Sequence, residues 1–221
     1  MTGDPGYAAI EARANARNLT ILGGFHIDQP IDAAPDARTM LLFGPHEPGF
    51  WERFRQTPEW RDQNPDPFDA WSRREISELS RTLGGTPLFP FDGPPYHPFF
   101  DWALKTGRVW ASPVLLLVHD VAGLLVSFRG AIALTRHIDL PPVPAHSPCE
   151  TCADRPCLTT CPVNALTPDE YVLTRCHAHL DRPEGAACLN AGCLARRACP
   201  VSQRYPRNPA QSAHHMSRFH P

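Results

Sequence analysis

The chain has 221 residues, with 21 basic and 23 acidic side chains, a formal net charge of −2 and a pI of about 6.6. This near-neutral charge gives no global attraction to nucleic acid or to anionic lipid, so neither is an expected partner. No apolar run reaches the length of a membrane span. Residues 1–19 lack the basic head, apolar stretch and cleavage site of a secretory signal. We therefore expect a cytoplasmic protein without a membrane partner.

The N-terminal part begins with a series of short predicted elements. The alanine-rich segment 8–19 is compatible with a helix, and the pattern at 19–22 predicts a strand that ends at the following Gly-Gly pair. The continuous apolar run at 39–43, stopped by a Gly-Pro pair, predicts a buried strand. A short helix is predicted over 48–56.

The clearest helix signal covers residues 67–83. Asp66 stands at the capping position, Pro67 at the first helical position and Asp69 in the first turn, while Gly84 follows the last turn. One face is apolar. Its members are Phe68, Trp71, Ile76, Leu79 and Leu83.

The elements that follow continue the alternation up to the middle of the chain. A strand is predicted at 86–91 and a helix at 99–105. Further strands are predicted at 109–110, 114–119, 124–128 and 131–134, with a turn at 120–123 joining the second and third of these. Helices alternating with strands, and a late hairpin, predict an α/β or α+β domain built on a mixed sheet.

Prolines mark the predicted domain boundary. Residues 138–148 contain four prolines and predict a stiff linker between a domain at 1–137 and a second domain at 149–204. Residues 205–221 are predicted to form a polar tail. The tail carries His214, His215 and His220, for which solvation or packing is expected rather than metal binding.

All eight cysteines lie in the second predicted domain, between residues 149 and 199. Disulfide frameworks belong to small secreted domains, whereas this chain is long enough for a core and has no visible secretory signal. Metal binding is therefore favoured. Zinc remains an alternative, since Cys-x2-Cys pairs also form tetrahedral zinc sites.

The spacing of the cysteines favours iron–sulfur clusters over zinc. Two groups of cysteines each end in Cys-Pro-Val, close to the C-x2-C-x2-C-x3-C-P run of two-cluster ferredoxins, although the second gap here has four residues. In such runs the cysteine before proline binds the other cluster. The crossed pattern predicts one [4Fe–4S] cluster at Cys149, Cys152, Cys157 and Cys199. It predicts the second at Cys161, Cys176, Cys188 and Cys193.

The order of features over residues 86–200 resembles epoxyqueuosine reductase, a cobalamin-dependent iron–sulfur enzyme. The matching features are an Asp turn at 91–94, a helix ending in glycine at 102–107, a hairpin at 115–130 and the cysteine block with its isolated Cys176. Segment 38–83 separately resembles the vitamin B12 processing chaperone. Both resemblances imply a nitroreductase-like α/β domain, here followed by a ferredoxin-like domain with two clusters. The chain lacks the basic region that would hold tRNA.

The resemblance also implies a cofactor cavity, and a corrinoid is its expected occupant. Asp92 aligns with the proton-donating aspartate of the reductase and is the expected general acid, although Asp92-Gly93 is also a common turn pair. Other residues are candidates for cofactor contact, each with a packing or surface role as its alternative. These are Tyr96, His97, Trp102, Trp110, His119 and Arg129.

Three functional hypotheses follow from these patterns. The first is an electron-transfer protein or reductase that passes electrons through two [4Fe–4S] clusters to a cofactor or substrate held by the N-terminal domain. The second is a cobalamin-processing reductase or dealkylase, and the third is a zinc-stabilised binding module. The redox hypotheses imply a donor such as a flavodoxin, a ferredoxin or a reductase, and a small-molecule or corrinoid substrate.

Overall fold

The computed structural model describes residues 5–221. Residues 1–4, which begin both the predicted N-terminal domain and the stretch compared with a secretory signal, lie outside the described part. The chain divides into two compact units, which we call the sheet unit and the cysteine unit. The sheet unit comprises the chain up to His46, Glu52–Arg108 and Ser127–Val143, and the cysteine unit comprises Glu47–Trp51, Val109–Val126 and Pro144–Pro221.

The chain forms an α+β fold with ten α-helices and six strands in its described part. The strands are β1 (Leu19–His26), β2 (Thr39–Pro45), β3 (Gly85–Leu88), β4 (Val109–Ala111), β5 (Leu117–His119) and β6 (Gly130–Leu134). The helices are α1 (Tyr7–Asn15), α2 (Phe50–Phe54), α3 (Pro58–Arg61), α4 (Pro67–Leu83), α5 (Phe99–Lys105), α6 (Leu173–Leu180), α7 (Ala186–Leu189), α8 (Leu194–Ala198), α9 (Pro200–Arg204) and α10 (Pro209–Phe219). Short 3-10 turns cover Pro156–Leu158 and Pro183–Gly185.

The sheet unit is built on one four-stranded sheet in the order β1-β2-β6-β3. Every pairing is antiparallel, so the predicted mixed sheet is wrong. The apolar run of β2 is buried along its whole length because it lies between β1 and β6, with Leu41 opposite Ile132. A strand buried on both faces needs no alternation of polar and apolar residues, whether its neighbours are parallel or antiparallel.

Helix α4 covers residues 67–83 as predicted and packs on β3 and β6. Its apolar face is buried, with Trp71 and Ile76 almost fully enclosed. Gly84 ends the helix in the left-handed conformation, with φ of 65°. The Asp66 side chain makes no capping hydrogen bond, so the predicted cap is absent although the residue stands at the capping position.

Strand β1 is four residues longer than predicted and includes the Gly-Gly pair that was expected to end it. The two glycines allow close approach rather than a turn. A Cβ on Gly23 would lie 2.7 Å from the Thr106 Cβ, and one on Gly24 would lie 2.8 Å from the Leu41 Cδ2. The register shifts between Ile21 and Gly23, so a bulge accommodates the pair.

The predicted strand at 124–128 does not form, although the other late strands do. The Leu124 N–H donates to the Ser202 Oγ at 2.9 Å, and the Leu125 carbonyl accepts from the Arg207 guanidinium at 2.8 Å. Side chains therefore take the hydrogen bonds that a neighbouring strand would otherwise make. The hairpin consists of β4 and β5, with Trp110 opposite Val118.

The predicted polar tail is also wrong, because residues 209–219 form helix α10. Asn208 caps it by accepting a hydrogen bond from the Ala210 N–H at 2.8 Å, and Pro209 occupies the first position. Gln211, Ser212 and Met216 are buried. Although most residues of this helix are polar, Met216 packs in an apolar cluster of the folded cysteine unit.

The observed division of the chain differs from the predicted one in the position of the hairpin. The break at Val143 falls inside the proline-rich segment 138–148, which contains no helix or strand. Residues 109–126, however, belong to the cysteine unit and not to the sheet unit. Within residues 5–221, none of the helices combines the length and apolar character that a membrane span requires.

Candidate functional site

The eight cysteines carry free thiols, and all of them lie in the described part of the cysteine unit. The structure separates them into two groups of four. The first thiol group consists of Cys149, Cys152, Cys157 and Cys199, which line one cavity of about 460 Å³. The second thiol group consists of Cys161, Cys176, Cys188 and Cys193. Cys161 and Cys193 lie near enough to Cys176 to raise its pKa, and Cys176 and Cys193 do the same for Cys188. These memberships are those of the crossed pattern, with Cys199 joining the first three cysteines.

The first thiol group is brought together by short elements from two distant parts of the chain. Cys157 lies in the 3-10 turn Pro156–Leu158, and Cys199 lies between α8 and α9. Both are buried in an apolar cluster with Val118 and Leu124 of the hairpin region. The hairpin region thus forms one wall of the cavity that the four thiols line.

The second thiol group is supported by three helices. Cys176 lies on α6, Cys188 lies on α7, and Cys193 stands directly before α8. Met216 of α10 packs with Leu180 and Cys188 in a second apolar cluster. The helix that replaced the predicted tail therefore covers this group of thiols.

Burial and mutual repulsion act in the same direction on the thiols. Burial is the largest effect and raises the pKa of Cys149, Cys157, Cys176 and Cys188 above the ordinary thiol value. Neighbouring thiolates of the same group raise these pKa values further. Without a cation these thiols therefore stay protonated at neutral pH, and a cation would be needed to stabilise them as thiolates.

Polar hydrogens point at three sulfurs of the second thiol group. The Ala165 N–H donates to the Cys161 Sγ at 3.3 Å, and the Tyr171 hydroxyl donates to the Cys176 Sγ at 3.4 Å. A backbone N–H of Leu194 lowers the pKa of Cys188, against the larger effect of burial. Hydrogen bonds to thiolate sulfur stabilise negative charge on it and are one of the means by which proteins tune iron–sulfur clusters.

The arrangement of ligand side chains within residues 5–221 includes no group of three or more His, Cys, Asp or Glu side chains placed to hold one metal ion. The thiols of the first group line a cavity instead. In a four-iron cluster each thiolate binds a different iron, so the four sulfurs stand farther apart than the four sulfurs around one zinc ion. The four thiols of the first group match the ligands of such a cluster in number and in chemistry.

The predicted cofactor residues of the sheet unit are mainly engaged in packing and ion pairs. The Asp92 carboxylate accepts a hydrogen bond from Arg73 at 2.5 Å, and Tyr96 is 65% exposed. His97 stacks on Trp102 with ring centroids 5.5 Å apart. The guanidinium of Arg129 bonds Ser72 at 3.0 Å and pairs with Asp69, which offsets the lowering of its pKa by burial.

The two remaining candidates, Trp110 and His119, lie in the cysteine unit and not with the others. Trp110 packs against the apolar cluster of the first thiol group. His119 is buried, and its Nδ1 accepts hydrogen bonds from the N–H groups of Val121 and Ala122, both at 3.1 Å. The imidazole therefore holds the turn after β5.

Several residues of the site carry no signal in the sequence. Tyr171 stands five positions before Cys176 and outside any cysteine motif, and Met216 lies in the predicted tail. Arg155 and Arg204 line the cavity of the first thiol group, although nothing in their spacing marks them. Only the folded chain places these side chains beside the thiols.

Comparisons of the chain with protein-family models, with curated proteins and with solved structures find no match.

The raised thiol pKa values predict how the stability of the reduced, metal-free protein depends on pH. A thiol whose pKa is higher in the folded state binds more protons there than in the unfolded state, so stability falls as pH rises above the ordinary thiol value of 9.0. We expect the urea midpoint to fall between about pH 8 and about pH 10. In the double variant Cys157→Ala with Cys188→Ala, the urea midpoint should depend less steeply on pH. An equal slope in both proteins would contradict the raised pKa values of Cys157 and Cys188.

Proposed function

We propose that this chain is an iron–sulfur electron-transfer protein or reductase whose two thiol groups each hold one [4Fe–4S] cluster. The grouping of the thiols carries the proposal. Cys199 joins Cys149, Cys152 and Cys157, and Cys161 joins the three later cysteines, as a crossed two-cluster run requires. Four thiols surrounding a cavity suit a cluster of several irons better than a single zinc ion.

The clusters supply one-electron reduction and oxidation when bound, and the chain supplies ligands, orientation and exclusion of water. Burial of Cys157 and Cys199 beside Val118 and Leu124 keeps the first site apolar on its inner wall. In the second site, Tyr171 and the backbone N–H groups of Ala165 and Leu194 stabilise charge on sulfur. The Ser147 side chain and a backbone N–H act in the same way on Cys149 and Cys157 of the first site. Both sites would therefore stabilise a reduced cluster.

The proposal also covers the fold families of the two units and the acceptor of the electrons. The resemblance to epoxyqueuosine reductase and to the vitamin B12 processing chaperone supports a nitroreductase-like sheet unit, a ferredoxin-like cysteine unit and a corrinoid acceptor. Asp92, which accepts a hydrogen bond from Arg73 in this structure, would be the proton donor to that acceptor.

Anaerobic purification tests the central claim through metal content. We expect a brown protein with about eight irons and eight sulfides per chain. Cys157→Ser and Cys188→Ser should each lose about half of the iron, because each removes a ligand from a different site. Ser212→Ala, a buried change on α10 outside the ligand set, is the matched control and should keep its iron. Colourless protein with about two zinc ions would select the zinc-stabilised binding module instead.

Loss of the Tyr171 hydroxyl should change one potential and leave the other. The O–H···S hydrogen bond stabilises the more negative, reduced state, so Tyr171→Phe should make the potential of the second site more negative. Redox titration followed by electron paramagnetic resonance measures both potentials. Tyr205→Phe makes the same chemical change at a residue without a described bond to sulfur, and it should leave both potentials in place.

The corrinoid proposal is tested by adding hydroxocobalamin to the cluster-loaded protein. We expect a shift in the corrinoid absorption bands that saturates with protein concentration. Asp92→Asn should keep the binding and slow any subsequent proton-coupled reduction, because the amide cannot supply a proton. An absorption spectrum equal to the sum of its two components would remove the corrinoid and leave the electron-transfer proposal intact.

A further inference from the structure

The cavity of the first thiol group opens to solvent. The cavity of the first group is lined at its rim by exposed residues, among them Thr151, Asp154, Arg155 and Arg204. A molecule in solution can therefore approach the first group through this opening. The inner wall of the cavity is apolar, whereas its rim carries polar and charged side chains.

The second thiol group is covered by α10. Phe219 stacks over Tyr171 with ring centroids 6.3 Å apart. The next residue, His220, fastens the end of the helix, because its ring nitrogens lie 3.0 Å from the His177 Nδ1 and 2.9 Å from the Asp181 Oδ1. Helix α10 thus packs beside the second group, whereas the cavity of the first group has an exposed rim.

The rim of the first cavity carries two exposed guanidinium groups. Arg204 donates to the Pro200 carbonyl at 3.3 Å, and Arg155 acts electrostatically on Cys149, lowering its pKa against the larger effect of burial. Within residues 5–221, neither guanidinium has a described ion pair with a carboxylate. Most of their N–H donors are therefore available to an external anion, and Asp154 is the acidic residue that shares the rim.

We propose that this rim is the docking surface for an electron-carrier protein with an acidic face, recognised by Arg155 and Arg204. The inference rests on the proposed function, since it assumes a redox group at the first four thiols. Planar guanidinium groups bind carboxylates through paired hydrogen bonds, and complementary charge speeds the encounter of two proteins. The carrier loses one electron and the group held by the first thiols gains it, without any covalent bond forming or breaking.

Flavodoxin, whose acidic surface surrounds its flavin, is the probe for this surface. Binding of flavodoxin to the cluster-loaded full chain is measured by titration calorimetry, and reduction by flavodoxin hydroquinone is followed by stopped-flow absorbance. We expect R155E with R204E to weaken binding and slow reduction by about tenfold or more, because like charges then face each other. Raising the salt from about 0.05 M to about 0.5 M should weaken wild-type binding.

Two controls separate docking from damage to the site. R182E reverses an exposed arginine after α6, on the side of the second thiol group, and should change binding less than about twofold. The methyl viologen radical cation needs no acidic docking face and is attracted by the new carboxylates, so it should reduce the double variant at least as fast as the other two proteins. Iron content is measured on each sample before the comparison.

The outcomes distinguish the two proposals. Unchanged flavodoxin binding in the double variant with its iron intact overturns the docking surface alone, and so does a wild-type protein that fails to bind flavodoxin at low salt. A wild-type protein without iron overturns the proposed function, and the docking surface with it. Slower reduction by both flavodoxin and methyl viologen would place the effect in the thiol site instead of the rim, which also contradicts the proposal.

Discussion

The cysteine unit depends on one physical problem, which is how to hold four thiol sulfurs together in a largely apolar environment. Burial and mutual repulsion both raise the thiol pKa values, so the bare arrangement resists the ionised form that binds metal. Cationic iron would reverse that balance, because it pairs with the thiolates in place of protons. If iron binds there, as we propose, metal binding and folding of this unit would be coupled.

The remaining parts of the cysteine unit serve this arrangement. The β4–β5 hairpin, which ends at His119 and so well before the first cysteine at Cys149, supplies an apolar wall to the first thiol group. Helix α10, at the other end of the chain, covers the second thiol group through Met216. Helix α10 packs closely on Gly192, because a Cβ at that position would lie 2.7 Å from the Ser212 Cβ. The site is thus assembled from three distant segments.

The differences between the two thiol groups suggest a division of roles. Sulfur atoms of the second group receive hydrogen bonds from Tyr171 and from backbone N–H groups beneath a helix. The first group opens into a cavity whose rim carries Arg155 and Arg204. Two guanidinium groups at the rim of a cavity are suited to docking of a partner protein with an acidic face, as we propose for this chain.

Local signals in the sequence determined a considerable part of the structure. Helix α4 was predicted over its full length because proline, glycine and a one-sided apolar pattern act within the segment itself. Ligand spacing along the chain also predicts two sets of cysteines, and that prediction is part of the proposed function. Tertiary structure alone decided that residues 124–128 form no strand, that 209–219 form a packed helix, and that Tyr171, Arg155 and Arg204 stand beside the thiols. The physical reason is that these outcomes depend on hydrogen bonds and apolar contacts between segments far apart in the chain, such as Leu124 with Ser202, which no local pattern encodes.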